Sequence, residues 1–165
     1  MREIGNNEGW ENVFFEEINM SFQELMETVG WEQTHAWCAY FGKAVWLLGY
    51  SDWDSTMVNR LKELMSANAV RTYRNLKDAG FAISDTPIPG ALVIWQKYKN
   101  GKPTIYGHEG IVVGVGNKYY NTIEGNTNSK GSRDGDQVAD KKRPINSYFS
   151  ANGLNRLGFV YPKEV

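Results

Sequence analysis

The sequence predicts an α+β domain whose helices and strands lie in separate layers. Three observations carry that expectation. Apolar residues recur at helical spacing up to about Gly80. Beyond it, glycines and β-branched residues dominate. Short turn signals separate the later segments, so the strands are read as mostly antiparallel.

The elements follow in order. Phe14, Ile18, Phe22, Leu25 and Val29 share one helical face, and Gly30 stops that helix. Thr34 is the N-cap expected for a second helix through Ala39, Phe41, Ala44, Val45 and Leu48 to Gly49. Asp54 to Met65 and Ala67 to Ala79 read as two more, the last closed by Gly80. Ile88-Pro89-Gly90 is a turn, and Ala91 to Trp95 a short apolar strand. Asn100-Gly101 marks a hairpin. His108 to Val115 and Lys118 to Glu124 form a strand pair about Gly116-Asn117. Gly125 to Asp136 reads as a polar loop. Strands near Gln137 to Arg143 and Leu157 to Tyr161 complete the sheet.

With 165 residues the chain is expected to be one domain, 1–165, with its core at about 29–162. Hydrophobic residues at 41% and charged ones at 22% mark it as globular. A formal net charge of −1 argues against a strong electrostatic hold on nucleic acid or an anionic membrane. The one basic run, Lys141-Lys142-Arg143, reads as a solvated strand or loop. Met1 to Asn12 is polar and holds no signal-peptide pattern, and no segment approaches the roughly 20 apolar residues of a membrane span. Synthesis in the cytoplasm without a signal peptide is the expectation. No long apolar seam stands out, which favours a monomer.

The single cysteine, Cys38, excludes an internal disulfide. It is either a small buried hydrophobe or a reactive thiol. Its place near a helix start suits a reactive thiol, because amide N–H groups there stabilise a thiolate and an oxyanion, but placement alone leaves both readings open. A cysteine hydrolase needs an imidazole, and the chain has two, His35 and His108. His35 is only three residues from Cys38, so a structural or rim role suits it. His108, expected to open a strand, is the candidate base. A third group should orient that ring. Glu124 returns close to His108 if the two strands fold about Gly116-Asn117, and Asn126 is an alternative. Asp52 with Asp54, and Asp134 with Asp136, suit turns or caps better than a cation. A zinc site from Cys38, His35 and His108 lacks the paired spacing of known zinc sites.

Four blocks in this order resemble the CHAP family of cysteine- and histidine-dependent amidohydrolases and peptidases, within the papain-like class. They are Trp37-Cys38-Ala39-Tyr40-Phe41, Pro89-Gly90-Ala91-Leu92-Val93-Ile94-Trp95, Gly107-His108-Glu109-Gly110-Ile111-Val112 and Thr122-Ile123-Glu124-Gly125-Asn126-Thr127. The resemblance implies a papain-like α+β fold and cleavage of an amide bond in bacterial peptidoglycan, by an N-acetylmuramoyl-L-alanine amidase or an endopeptidase of stem or cross-bridge. It implies Cys38 as nucleophile, His108 as base, Glu124 as orienting acid and Asn126 as supporting polar group. Trp37 and Trp95 are candidate substrate contacts, with Trp31 and the loop Asn126 to Gly135 as further ones, although core packing is the expected role of each Trp.

Two departures stand out. Gly90-Ala91 replaces the family's frequent Gly-Asp. The segment Gly30 to Trp37, where some members bind calcium, holds only Glu32 as an acid, so no metal and no cofactor is expected. The blocks look most like phage-associated and related bacterial members. That implies action on the wall after release, virion delivery or injection, with an immunity protein as partner if the chain is an injected effector. Readings from other classes are a cysteine transferase or deamidase acting on proteins, and a wall-binding module without catalysis.

Overall fold

A computed structural model describes residues 21–32, 36–127 and 137–163. Among them are four helices: α1 (Phe22–Thr28), α2 (Cys38–Ser51), α3 (Ser55–Leu64) and α4 (Ala69–Asp78). They precede six strands: β1 (Ile83–Ser84), β2 (Leu92–Lys99), β3 (Lys102–Val115), β4 (Tyr119–Thr127), β5 (Gln137–Pro144) and β6 (Leu154–Val160). The strands make one antiparallel sheet in the order β1-β6-β2-β3-β4-β5. This is the expected α+β architecture with segregated layers.

Local chemistry explains most boundaries. Ser21 and Glu24 form a capping box at α1, and Gly30 ends the turn beyond it at φ +84°. Asp54 caps α3 by accepting the Met57 N–H, and Asn68 caps α4 by accepting that of Arg71. Helix α2 departs from expectation. It starts at Cys38 and runs to Ser51, past Gly49. Thr34, expected as its cap, lies outside the described residues, as do Phe14, Ile18, His35, Asp134 and Asp136. Trp37 holds the cap position and offers no side-chain acceptor.

Three strands also differ. β3 starts at Lys102, so His108 sits within the strand and not at its head. Asn100 and Gly101, both at positive φ, turn β2 directly onto β3 and carry the pairing out to Lys99 and Lys102. β4 continues to Thr127, so Gly125–Thr127 belong to a strand instead of a loop. β6 starts three residues early, at Leu154, and β1 pairs with its end without a sequence signal of its own.

Strand alternation divides the core. Leu92, Ile94, Ile111 and Val160 pack with Leu61, Met65 and Leu76 of the helices. Val93, Trp95, Val112, Tyr120 and Phe159 form a second cluster. Helix α2 is buried through Ala39, Phe41, Ala44, Trp46, Leu47 and Tyr50, which makes it the central helix. Gly42 lets it settle closely on the sheet, since a Cβ there would collide with Oε1 of Glu109 and lie 3.2 Å from Leu92. This close packing fixes Cys38, one turn earlier, against β3 and β4.

Candidate active site

Cys38 is the first residue of α2 and is buried at 8% exposure. Its side chain lies near that of His108 on β3, close enough to act on the imidazole's protonation. The Nε2 atom of His108 lies 2.8 Å from Oε2 of Glu124 on β4. An ionised carboxylate only accepts, so Nε2–H donates and Nδ1 is left for Cys38. The structure therefore brings together three of the residues singled out in the sequence, in the order thiol, imidazole, carboxylate.

Glu124 is fully buried, and both its oxygens are saturated. Oε1 accepts from Thr122 Oγ1 at 2.6 Å and from Arg143 Nε at 2.8 Å. Oε2 accepts from His108 and from Arg143 Nη2 at 2.5 Å. The guanidinium and carboxylate thus meet as a bidentate fork. Arg143 also lies over the Trp95 ring, 5.1 Å from its centroid, and Trp95 stacks on His108 at 5.8 Å and 24°. The imidazole is held at its edge by Glu124 and on its face by Trp95.

The electrostatics follow. Burial works against a charged imidazole, but hydrogen bonds to Cys38 and Glu124 and their negative charge hold His108 up at about 9. Burial likewise raises Glu124, and the bonds to His108 and Arg143 outweigh it, bringing the carboxyl down to about 2. A protonated His108 and an ionised Glu124 are thus favoured together near neutral pH. A thiol beside the neutral imidazole can pass its proton to Nδ1 and attack an electrophilic carbon, and the imidazolium so formed is the state these partners stabilise.

A second carboxyl stands close by. Glu109 follows His108 and points to the other side of β3, toward Gly42 of α2. It is 1% exposed, and neither oxygen has a hydrogen-bond partner among the described residues. Burial, and then the charge of Cys38, push this carboxyl well above the usual range, with His108 acting weakly the other way. Burial thus favours the neutral form of Glu109.

Arg143 and Glu109 escaped the sequence reading. Arg143 sits in the basic run read as solvated, a reading the structure corrects: β5 pairs with β4 and turns Arg143 inward onto Glu124. No local signal marked it, because its partner Glu124 lies on the neighbouring strand. Glu109 sat in view within the Gly-His-Glu-Gly block, and its alternation with His108 was the clue to its burial.

The other candidates are placed as follows. The backbone of Asn126 continues β4 beyond Glu124, and its side chain lies outside the described residues. Trp37 is 5% exposed and meets Phe22 and Phe41 edge-on, at 5.2 and 6.3 Å. Trp95 and Trp31 are each 8% exposed, so all three present little open ring to a ligand. Asp54 serves as a helix cap. Among the described residues, no group of three or more His, Cys, Asp or Glu side chains is arranged to hold a metal ion, and no helix is long and apolar enough to cross a membrane.

The family model described as CHAP domain matches residues 29–126, more than half of the chain. Cys38, His108, Glu124 and Asn126 fall inside that span, and Arg143 falls outside it. No curated protein and no solved structure matches the chain.

Proposed function

Because the chain belongs to the CHAP domain family, we propose that it hydrolyses an amide bond of bacterial peptidoglycan, with Cys38 as nucleophile, His108 as base and Glu124 as the group that orients His108. The family suggests a cysteine- and histidine-dependent amidohydrolase or peptidase acting on the cell wall. The bond cut is that of an N-acetylmuramoyl-L-alanine amidase or of a stem or cross-bridge endopeptidase. The observation that carries this reading is the convergence of Cys38, His108 and Glu124, with Nε2 of His108 2.8 Å from Oε2 of Glu124 and the Cys38 side chain near the same imidazole.

The steps follow from that convergence. Nδ1 of His108 takes the thiol proton, and the thiolate attacks the carbonyl carbon. The carbonyl electrons move to oxygen, and the oxyanion is held near the start of α2, where the Cys38 N–H belongs to the first helical turn. The C–N bond then breaks as Nδ1–H protonates the leaving amine. A thioester remains on Cys38. Water, deprotonated by Nδ1, attacks it and releases the acid and the thiol. Nε2–H donates to Glu124 throughout, so the ring keeps one orientation in both proton states. Asn126 serves as a supporting polar group, and Trp37 and Trp95, both nearly buried, reach the substrate only through the little surface they expose. No cofactor takes part. The enzyme acts as a monomer on the wall after release, virion delivery or injection. If it is injected, an immunity protein is its partner.

Purified Gram-negative and Gram-positive sacculi should be digested with wild type and Cys38→Ala, and the soluble fragments identified by mass spectrometry. Free stem peptides mean an amidase; split cross-links or shortened stems mean an endopeptidase. Normal release by Cys38→Ala removes the mechanism. No release by wild type from either wall moves the assignment to a protein-directed cysteine transferase or deamidase, or to a wall-binding module.

A further inference from the structure

We propose that Arg143 is a positioning residue of this site, a permanent counter-ion that holds Glu124 and Trp95 as one unit around His108. The inference rests on the reading of Cys38 and His108 as the reacting pair. Four side chains from four consecutive strands close a ring: Trp95 on β2, His108 on β3, Glu124 on β4 and Arg143 on β5. Arg143 touches the first and third of these, at 5.1 Å from the Trp95 centroid and at 2.8 and 2.5 Å from the two carboxylate oxygens. Glu124 supports the edge of the imidazole and Trp95 supports its face, so one guanidinium braces both supports.

The chemistry explains why a cation is needed there. His108 alternates between imidazolium and neutral imidazole in each turnover. When it is neutral, Glu124 would be a fully buried carboxylate without a charged partner, and such a group protonates or moves. A guanidinium does not titrate in this range, so Arg143 keeps the acid ionised and oriented in both states. Its planar fork fixes the two oxygens, which leaves the Oε2 lone pair aimed at Nε2. A lysine supplies charge at one point and cannot fix both. Arg143 lies beyond residues 29–126, so this support comes from the part of the chain outside the family match.

The test uses the whole protein with Arg143→Met and Arg143→Lys. kcat and KM on soluble peptidoglycan fragments, and the rate of Cys38 alkylation by iodoacetamide, are measured from pH 4 to 9, each per folded molecule. For Arg143→Met, kcat should fall by on the order of tenfold near neutral pH with KM little changed. Both the alkylation and the kcat profiles should lose their acid side at a higher pH than wild type, because Glu124 then protonates within the range. Arg143→Lys should recover part of kcat at neutral pH and shift the acid side less. Arg143 is only a structural tie between β4 and β5 if both variants melt earlier yet keep the wild-type profiles and kcat. Should Arg143→Met not fold, Arg143→Lys with wild-type kcat and profile overturns the proposal alone. Alkylation needs no substrate, so it tests Arg143 even if sacculi prove to be the wrong target, whereas a fully active Cys38→Ala removes the underlying mechanism instead.

Discussion

Nε2 of His108 and Oε2 of Glu124 are 2.8 Å apart although the two residues do not face each other across β3 and β4. Ile111 pairs with Ile123, and continuing that register sets Glu124 opposite Gly110. The contact to His108 is thus diagonal, two residues along the same face. It works because Gly110 has no side chain: a Cβ there would stand 2.7 Å from Cγ of Glu124.

Gly110→Ala should therefore push Glu124 off its line to His108. The backbone is extended on both sides, so the strand survives and the loss falls mainly on activity. A fall in kcat on the order of tenfold is expected, with a destabilisation of about 1–3 kcal/mol from overpacking. Steady-state kinetics beside a denaturant melt check it. Unchanged kcat with Ala at 110 would mean that the diagonal contact is not needed.

Stability should depend on pH through the same pair. The folded value of His108, about 9, is above its ordinary 6.5, so its contribution is fully present below 6.5 and is lost as pH rises through 9. The folded value of Glu124, about 2, is below its ordinary 4.5, so its contribution is present above 4.5 and is lost as pH falls through 2. Urea melts of wild type and His108→Gln across pH 6 to 10 should show the alkaline decline weaken in the variant. Parallel declines would place the proton elsewhere.

Trp95→Leu should loosen the ring while keeping an apolar side chain. It removes the stack on His108 and the cation–π contact of Arg143, the latter worth about 0.5–2 kcal/mol. Trp95→Phe keeps a ring face and should retain more of kcat than Trp95→Leu. Equal activity in the two variants would show that the face of the imidazole needs no aromatic support.

Why these contacts were legible or hidden is a matter of range. Cys38 and His108 stood out because the chain has one cysteine and two histidines. Glu124 was found through the hairpin, but the expected turn centre lay too early. Residues 116–118 form the connection, and Gly116 N–H bonds to the Tyr119 carbonyl, which moves the register toward Gly110. The error was absorbed because the side chain of Glu124 is long enough for a diagonal reach. The starts of the helices at Ser55 and Ala69 are set by local signals and lie within two residues of the expected Asp54 and Ala67. Arg143 was hidden because its partners lie 19 and 48 positions earlier in sequence, and no local pattern tells an inward arginine from a solvated one. Its role needed the pairing of β4 with β5, which periodicity does not give.

Glu109 makes a further pH dependence of stability, opposite in origin to that of Glu124. A neutral carboxyl without a partner is costly to bury, and the cost grows when the unfolded chain can ionise it. Its folded value is raised above the ordinary 4.5. Above pH 4.5 the folded state therefore binds a proton that the unfolded state releases, and stability falls as pH rises toward the folded value, by up to about 1.4 kcal/mol per pH unit. Glu109→Gln cannot ionise in either state and keeps the volume beside Gly42. It should lose this slope, so its stability relative to wild type should improve as pH rises above 4.5. Denaturant melts at four pH values across that range read the difference directly. A constant gap between the two proteins would mean that Glu109 is ionised in the fold.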